Sequence, residues 1–445
     1  MKDNTPSLLI KKKQAITIPV LILGLLGFFS SFFINIGGQL YISEIAFVIV
    51  CMFLFAKGRV FLTANLKRIL GLGVLWLFVQ ILTDLVQGTS VDDYLRGWAS
   101  IGFLLLDIFT LFALVAGRAT RIYFFLIGYA IGGLAHLLFQ PSPFFVAEPW
   151  KFGFAEPVIL LVLLAIVRSA RSRLELMKFW ILPLIFLGGL SLYLNSRTNA
   201  WLVFLTAGLI AFRFSRFGRR LLLLRMRTGS IVVVGFFIIA LTFGVLKLYQ
   251  FTVSNGWLGE DAKAKYVLQY NPKFGLIGIL VGGRSQILGS MQAIVDSPWM
   301  GQGSWARDPK YRLYVYQLEE LGYKLTGNIE NYIYKTDLIP SHGHFFQAWI
   351  WAGPIGAFFW LFVLLVVGRY ALRSFRSPNA FFPLIMFLSA SAVWDIFFSP
   401  FGAGMRISWA LTLATIFFAA LPDQLNSLEN KQIQDDQTKS FSIRS

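Results

Sequence analysis

The chain is short of the residues on which most soluble catalysts and redox proteins depend. Its 445 residues include one cysteine, Cys51, and three histidines. A lone cysteine inside an apolar run closes no intrachain disulfide and reads as core filling. Charged residues make up only 14% of the chain, well below the roughly one quarter usual for soluble domains, which excludes a soluble globular fold. No Gly-x4-Gly-Lys-Ser/Thr phosphate loop occurs, so intrinsic ATP hydrolysis is not expected. Cys/His metal spacings are missing, as is any Asp-x-Asp pair of the kind that holds a divalent ion on a diphosphate. No metal or other cofactor is therefore expected, and an anionic leaving group would have to be neutralised by arginines. Internal repeats and low-complexity segments are also absent.

What is there is apolar and aromatic: 56% hydrophobic residues and 16% Phe, Trp and Tyr. Apolar runs near the ~20 residues needed to cross a bilayer recur along the chain. They cover 15–35, 39–56, 69–86, 97–117, 122–140, 153–168, 178–195, 199–213, 230–249, 343–367, 381–399 and 405–421. The first follows Lys11-Lys12-Lys13 and lacks a small-residue cleavage site, so it reads as a retained helix. The formal charge of +18 sits in short basic runs between apolar spans, which fits the positive-inside rule and not nucleic-acid binding. With the N-terminus in the cytoplasm, the inside connections carry Lys57, Arg59, Lys67, Arg68, Arg118, Arg121, Arg168, Arg171, Arg173, Lys178, Arg213, Arg216, Arg219, Arg220, Arg225, Arg227, Arg369, Arg373 and Arg376. The short outside connections carry only Arg96, Lys151, Arg197 and Arg406.

That asymmetry predicts an all-α polytopic membrane protein of about twelve transmembrane helices, with both ends inside. Residues 1–249 would hold helices one to nine. Residues 250–341 would form one large external loop, and 342–421 helices ten to twelve. Residues 422–445, rich in Gln, Asn, Asp, Lys and Ser, read as a disordered cytoplasmic tail.

Ionisable residues inside a bilayer are costly, so their placement is informative. On this topology Glu44, Asp84, His136, Glu156 and Asp395 fall in the outer halves of their helices. Lys247 and Arg406 sit at outer ends, and only Asp107 lies near mid-membrane. Two readings stay open: isolated helix-end placement, or a shared aqueous cavity on the outer face.

Three positions stand out as candidates for chemistry. His342 precedes the tenth apolar run, with Pro340 and Ser341 supplying a helix start, and could act as general base or hydrogen-bond donor. His344 lies about 200° around the helix from it, so the two would not chelate one metal. Gly353 and Gly356 would lie roughly 16 and 21 Å deeper in a continuous helix, where they would serve close packing. Arg284, in Gly282-Gly283-Arg284-Ser285, opens a short amphipathic helix with Ile287, Leu288, Met291, Ile294 and Val295 on one face, stopped by Ser297-Pro298. An arginine at a helix start is either a phosphate clamp or a solvated surface residue. Arg197 lies in the tight turn Asn195-Ser196-Arg197-Thr198-Asn199, on the side where basic residues are few.

In these residues the chain resembles the O-antigen ligase and O-antigen polymerase superfamily of bacterial membrane enzymes. The family pattern has a His followed by Asn, Ser or Gln, then Gly-x-x-Gly eleven residues on. Here His342 and Gly353-Pro354-Ile355-Gly356 match that spacing, while Gly343 departs from it. Gly283-Arg284 followed by Ser297-Pro298-Trp299-Met300-Gly301-Gln302-Gly303 resembles the family's Gly-Arg helix with its Pro-x-x-Gly-x-Gly end. Ser196-Arg197 resembles its Ser-Arg turn. The resemblance covers roughly residues 185 to 365, and the first six helices match only in general character.

The resemblance implies a C-type glycosyltransferase-like fold in the bacterial inner membrane with a periplasm-facing site. The family's essential arginines fall on Arg197 and Arg284, which would bind the diphosphate of an undecaprenyl diphosphate-linked glycan donor. Its essential histidine falls on His342, which would activate the acceptor. His344, Arg406, Glu44 and Asp84 are secondary candidates. The acceptor would be lipid A–core for a ligase, the reading preferred on helix layout, or another lipid-linked glycan for a polymerase. A polysaccharide or lipid-linked-glycan transporter is the rival from another class. It would favour midplane charges, inverted repeats and discontinuous helices.

Overall fold

The computed structural model describes residues 19–56, 62–115, 118–223, 228–284, 286–323, 336–377 and 379–419. The start of the first apolar run, Lys57, Arg59, Arg225, Arg227 and the 422–445 tail lie outside the described residues. In a medium that cannot hydrogen-bond, an apolar run satisfies its backbone by coiling, and every one of the twelve runs contains a helix. In chain order these are α1 (Val20–Phe29), α2 (Ile42–Ala56), α3 (Ala64–Gln87), α4 (Val91–Val115) and α5 (Ala119–Phe139). After the short α6 (Pro143–Ala147) come α7 (Ala155–Ser172), α8 (Ile181–Tyr193), α9 (Arg197–Phe214), α10 (Arg216–Leu223) and α11 (Thr228–Ser254). The segment expected as a loop holds α12 (Glu260–Gln269), α13 (Gly275–Gly282), α14 (Gln286–Asp296) and α15 (Gln317–Glu320). Then follow α16 (His344–Ala352), α17 (Pro354–Arg376), α18 (Phe382–Phe398) and α19 (Ala403–Ala419).

Among the described residues seven stretches are long and apolar enough to cross a membrane: Ala64–Gln87, Val91–Val115, Ala119–Phe139, Trp150–Ser172, Leu174–Tyr193, Val232–Ser254 and Pro354–Arg376. The helices α1, α2, α18 and α19 are apolar but shorter. Leu182, Phe236 and Leu365 are each at least 70% exposed. Large apolar side chains bared along whole helices need an apolar solvent, so the chain is a helical membrane protein.

Two departures from the sequence reading concern the backbone at the loop end. One is a small hairpin, β1 (Phe33–Asn35) and β2 (Gln39–Tyr41), paired antiparallel with Asn35 opposite Gln39. The other is the run 343–367, which is not one helix. Gly353 adopts φ +68° and ψ −160°, and Pro354 starts a new helix. The His344 and Trp360 rings then lie 4.7 Å apart, where a continuous helix would separate those residues by about 24 Å. A Cβ on Gly356 would sit 2.6 Å from the Ala348 carbonyl oxygen. So α16 folds back along α17, and Gly353 and Gly356 form the corner of a helical hairpin instead of lying deep below His342.

That corner organises the 250–341 segment. Breaking the helix at Gly353 frees the last carbonyls of α16. The Gln302 N–H donates to Ile350 O at 2.6 Å and the Gly303 N–H to Trp351 O at 3.2 Å, so the Gly301-Gln302-Gly303 strand caps the helix. Asp84, near the end of α3, fastens the same strand. Its Oδ1 accepts from the Ser304 N–H at 2.5 Å, and its Oδ2 from Ser304 Oγ at 2.8 Å and Trp98 Nε1 at 2.7 Å. Further back, Ala262, Tyr266 and Ile279 of the segment share a core with Leu192, Ala200, Tyr249 and Val253 of the bundle. The segment therefore seats on one end of the bundle, here the loop end. The expected helix after Arg284 is present as α14, but it buries Gly289, Ser290 and Ala293 and leaves Met291 and Val295 exposed.

Candidate functional site

Arg197 is the first residue of α9, at the loop end. The turn before it is held tightly: Asn195 takes φ +58°, and the Ser196 N–H donates to Ser191 O at 2.8 Å. Glu148, from the connection before α7, clamps this turn to the 250–341 segment. It accepts from Asn195 Nδ2 at 3.2 Å, Lys265 Nζ at 2.8 Å and Lys151 Nζ at 2.6 Å. Burial pushes the Glu148 carboxyl up, but the two lysines outweigh it and hold the group below its ordinary value. Thus placed, the Arg197 guanidinium lies 5.3 Å from the Tyr249 ring and donates to Gln269 Oε1 at 2.6 Å.

Arg284 sits in the turn between α13 and α14. Its guanidinium lies over Trp394 and Phe398, at 5.1 and 5.8 Å, near the loop end of α18. Trp394 also meets Trp201 of α9, with ring centroids 5.7 Å apart. Burial, and next the charge of Arg197, hold Arg284 below its ordinary value. His342 precedes α16. Burial, then the charge of Arg284, push its imidazole down to about 4, against a smaller opposing effect of a backbone hydrogen bond at Ser341. Arg284 is thus an electrostatic neighbour of both other groups. Residues from α9 and the α16 approach, far apart in sequence, thus lie within electrostatic range of the α13–α14 turn.

All three are half-buried, so each is screened from bulk water yet reachable. Among the described residues neither arginine forms an ion pair; their partners are a glutamine and aromatic faces. Two like charges in a partly dry site, neither with an ion-pair partner among the described residues, could together accept an anion.

The secondary candidates are engaged elsewhere. Glu44 and Arg406 pair with each other, Nε to Oε1 at 2.7 Å, and are almost wholly buried. Asp84 is committed to the Ser304 strand. His344 is fully buried, with Nδ1 2.6 Å from Ser399 O and its ring among Trp360, Phe401 and Trp409. Of the intramembrane carboxylates, Glu156 and Asp395 lie within electrostatic range of each other, while Asp107 is buried beside Glu44.

Gly343, where the family pattern has a polar residue, takes φ +145°, and a Cβ there would sit 2.5 Å from Phe397 O. Glycine is the residue that this close approach to α18 admits. Sequence reasoning missed Glu148 and Gln269. Neither lies in a pattern, and their roles exist only once the turn at Arg197 meets α12. The Gly353-Pro354 break did have a signal, since Gly-Pro marks a chain turn.

No protein-family model, no curated protein and no solved structure matches the chain.

Proposed function

We propose that the chain is a metal-independent glycosyltransferase of the O-antigen ligase type. It would transfer a glycan from an undecaprenyl diphosphate carrier to an acceptor hydroxyl at the periplasmic face of a bacterial inner membrane. The observation that supports this best is that Arg284 lies within electrostatic range of both Arg197 and His342, these being the three residues to which the motif resemblance points. About twelve membrane crossings in a C-type glycosyltransferase-like arrangement, with the 250–341 segment as a periplasmic lid, belong to the same reading.

In this mechanism the acceptor oxygen attacks the anomeric carbon as the bond from that carbon to the diphosphate oxygen breaks. The diphosphate leaves on its lipid, held by Arg197 and Arg284, which stabilise the negative charge that develops on it. The acceptor proton passes to His342. One displacement inverts the anomeric centre. In the free protein His342 is a weak base, because burial and Arg284 both oppose its protonation. A bound diphosphate would neutralise Arg284 and so lift the second of these two effects, which strengthens the base in part when the donor is in place.

The surface-polysaccharide ladder of a deletion strain tests the reading. Loss of a ligase leaves polymer on the carrier and bare lipid A–core, and the wild-type gene restores the ladder. Core bearing a single repeat would assign the polymerase alternative, which uses the same three residues. A lost ladder with donor accumulating on the cytoplasmic side would favour the transporter, and an unchanged ladder would contradict the reading.

A further inference from the structure

Gln269 stands between Arg197 and the turn that carries Arg284. Its Oε1 accepts from Arg197 at 2.6 Å. Because a guanidinium only donates, that contact fixes which end of the amide faces Arg197. The amide nitrogen must then point the other way. A Cβ on Gly283 would lie 3.7 Å from both the Gln269 amide carbon and Nε2, so this end faces the turn that carries Arg284. Among the described residues Nε2 has no hydrogen-bond partner, and the side chain is only half-buried. The backbone cannot drift: a Cβ on Gly282 would meet Gln269 O at 2.7 Å, which packs the end of α12 against the end of α13.

We propose that Gln269 is a third ligand for the diphosphate of the lipid-linked donor, offering its two Nε2 hydrogens between the guanidinium groups of Arg197 and Arg284. One end of the amide anchors Arg197 and the other completes the anion site. A neutral donor suits this place, since a third cation would add to the repulsion between the arginines, and a carboxylate would occupy the anion's position. This inference rests on the reading of Arg197 and Arg284 as diphosphate ligands.

The test measures binding of undecaprenyl diphosphate, without any sugar, to purified full-length protein in detergent, and compares Gln269→Glu with Gln269→Leu and Arg197→Ala. Gln269→Glu keeps an oxygen for Arg197 and replaces the free N–H2 group by a negative charge. Contact with the diphosphate predicts that it raises Kd by about tenfold to a hundredfold, more than Gln269→Leu does. A role confined to holding Arg197 predicts that Gln269→Leu adds nothing to the loss in Arg197→Ala, whereas a ligand of the diphosphate still raises Kd in that background; no added loss overturns the inference. Arg197→Ala separates the two levels. If it abolishes binding while Gln269→Glu does not, the inference alone fails; if it binds normally, the reading of the site fails with it. Melting temperatures of the variants, taken in the same detergent, exclude misfolding as the cause of a weakened Kd.

Discussion

Two arginine sites in this molecule are built on opposite plans. Arg406 is 3% exposed and its charge is answered on the spot by Glu44, with Gln39 O taking another of its hydrogens at 2.7 Å. Arg197 and Arg284 are half-buried, repel each other, and rest on a glutamine and aromatic faces. A self-contained ion pair holds helices together and asks nothing of a ligand. An uncompensated pair of cations costs stability in the empty protein and lowers that cost when an anion arrives. The first site is therefore read as structural and the second as functional.

Breaking each site should affect a different property. Glu44→Ala leaves Arg406 charged in the bundle without its ion-pair partner, a loss of about 3–5 kcal/mol in stability. Thermal melting in detergent should fall sharply, while the surviving folded protein binds undecaprenyl diphosphate as before. Arg197→Ala or Arg284→Ala should do the opposite: transfer drops by about 10²–10³, the range for losing one charge-stabilising donor, with melting unchanged or raised. Arg284→Lys should recover only part of the activity, because an ammonium lacks the fork that grips two oxygens and stacks poorly on Trp394.

Asp84→Asn sharpens the comparison from a third side. An amide cannot accept all the hydrogens that Ser304, Trp98 and Thr89 now give to the carboxylate, so about 1–3 kcal/mol should be lost. Its signature should be faster proteolysis around residues 298–304, where the strand is fastened to α16. The smallest effect is on pH dependence. With its imidazole pushed down to about 4, His342 stays neutral, and able to accept a proton, until the pH falls through that value. The acid limb of kcat/KM, which reports the free enzyme, should lie near 4 and not near the ordinary 6.5. Removing the neighbouring positive charge in Arg284→Ala should raise that limb, whereas Arg284→Lys should leave it low.

Much of this was legible in the sequence, for physical reasons that differ from one element to another. Long apolar runs have one way to satisfy their backbones, so the helices fall where the runs do. Short motifs mark Arg197, Arg284 and His342, and the fold puts Arg284 within electrostatic range of the other two. At Gly353 the Gly-Pro turn signal is overridden because both arms of the hairpin, His344–Ala352 and Pro354–Arg376, are apolar and so read as a single run. Asp84 stays open in the sequence between helix-end placement and a shared cavity, because the partner that uses up its oxygens lies 220 residues later in the chain. Gln269 could not be found at all: its importance lies in what stands on either side of its amide.

The most direct measurement is transfer by the purified protein in detergent, supplied with an undecaprenyl diphosphate-linked glycan and an acceptor glycolipid, without nucleotide or added metal. Product should form with an inverted anomeric centre, and His342→Ala should reduce its rate by about 10²–10⁴ while leaving undecaprenyl diphosphate binding intact. No product from the wild-type protein with either class of acceptor, or full activity in His342→Ala, would contradict the assignment of this site as a glycosyl-transfer centre.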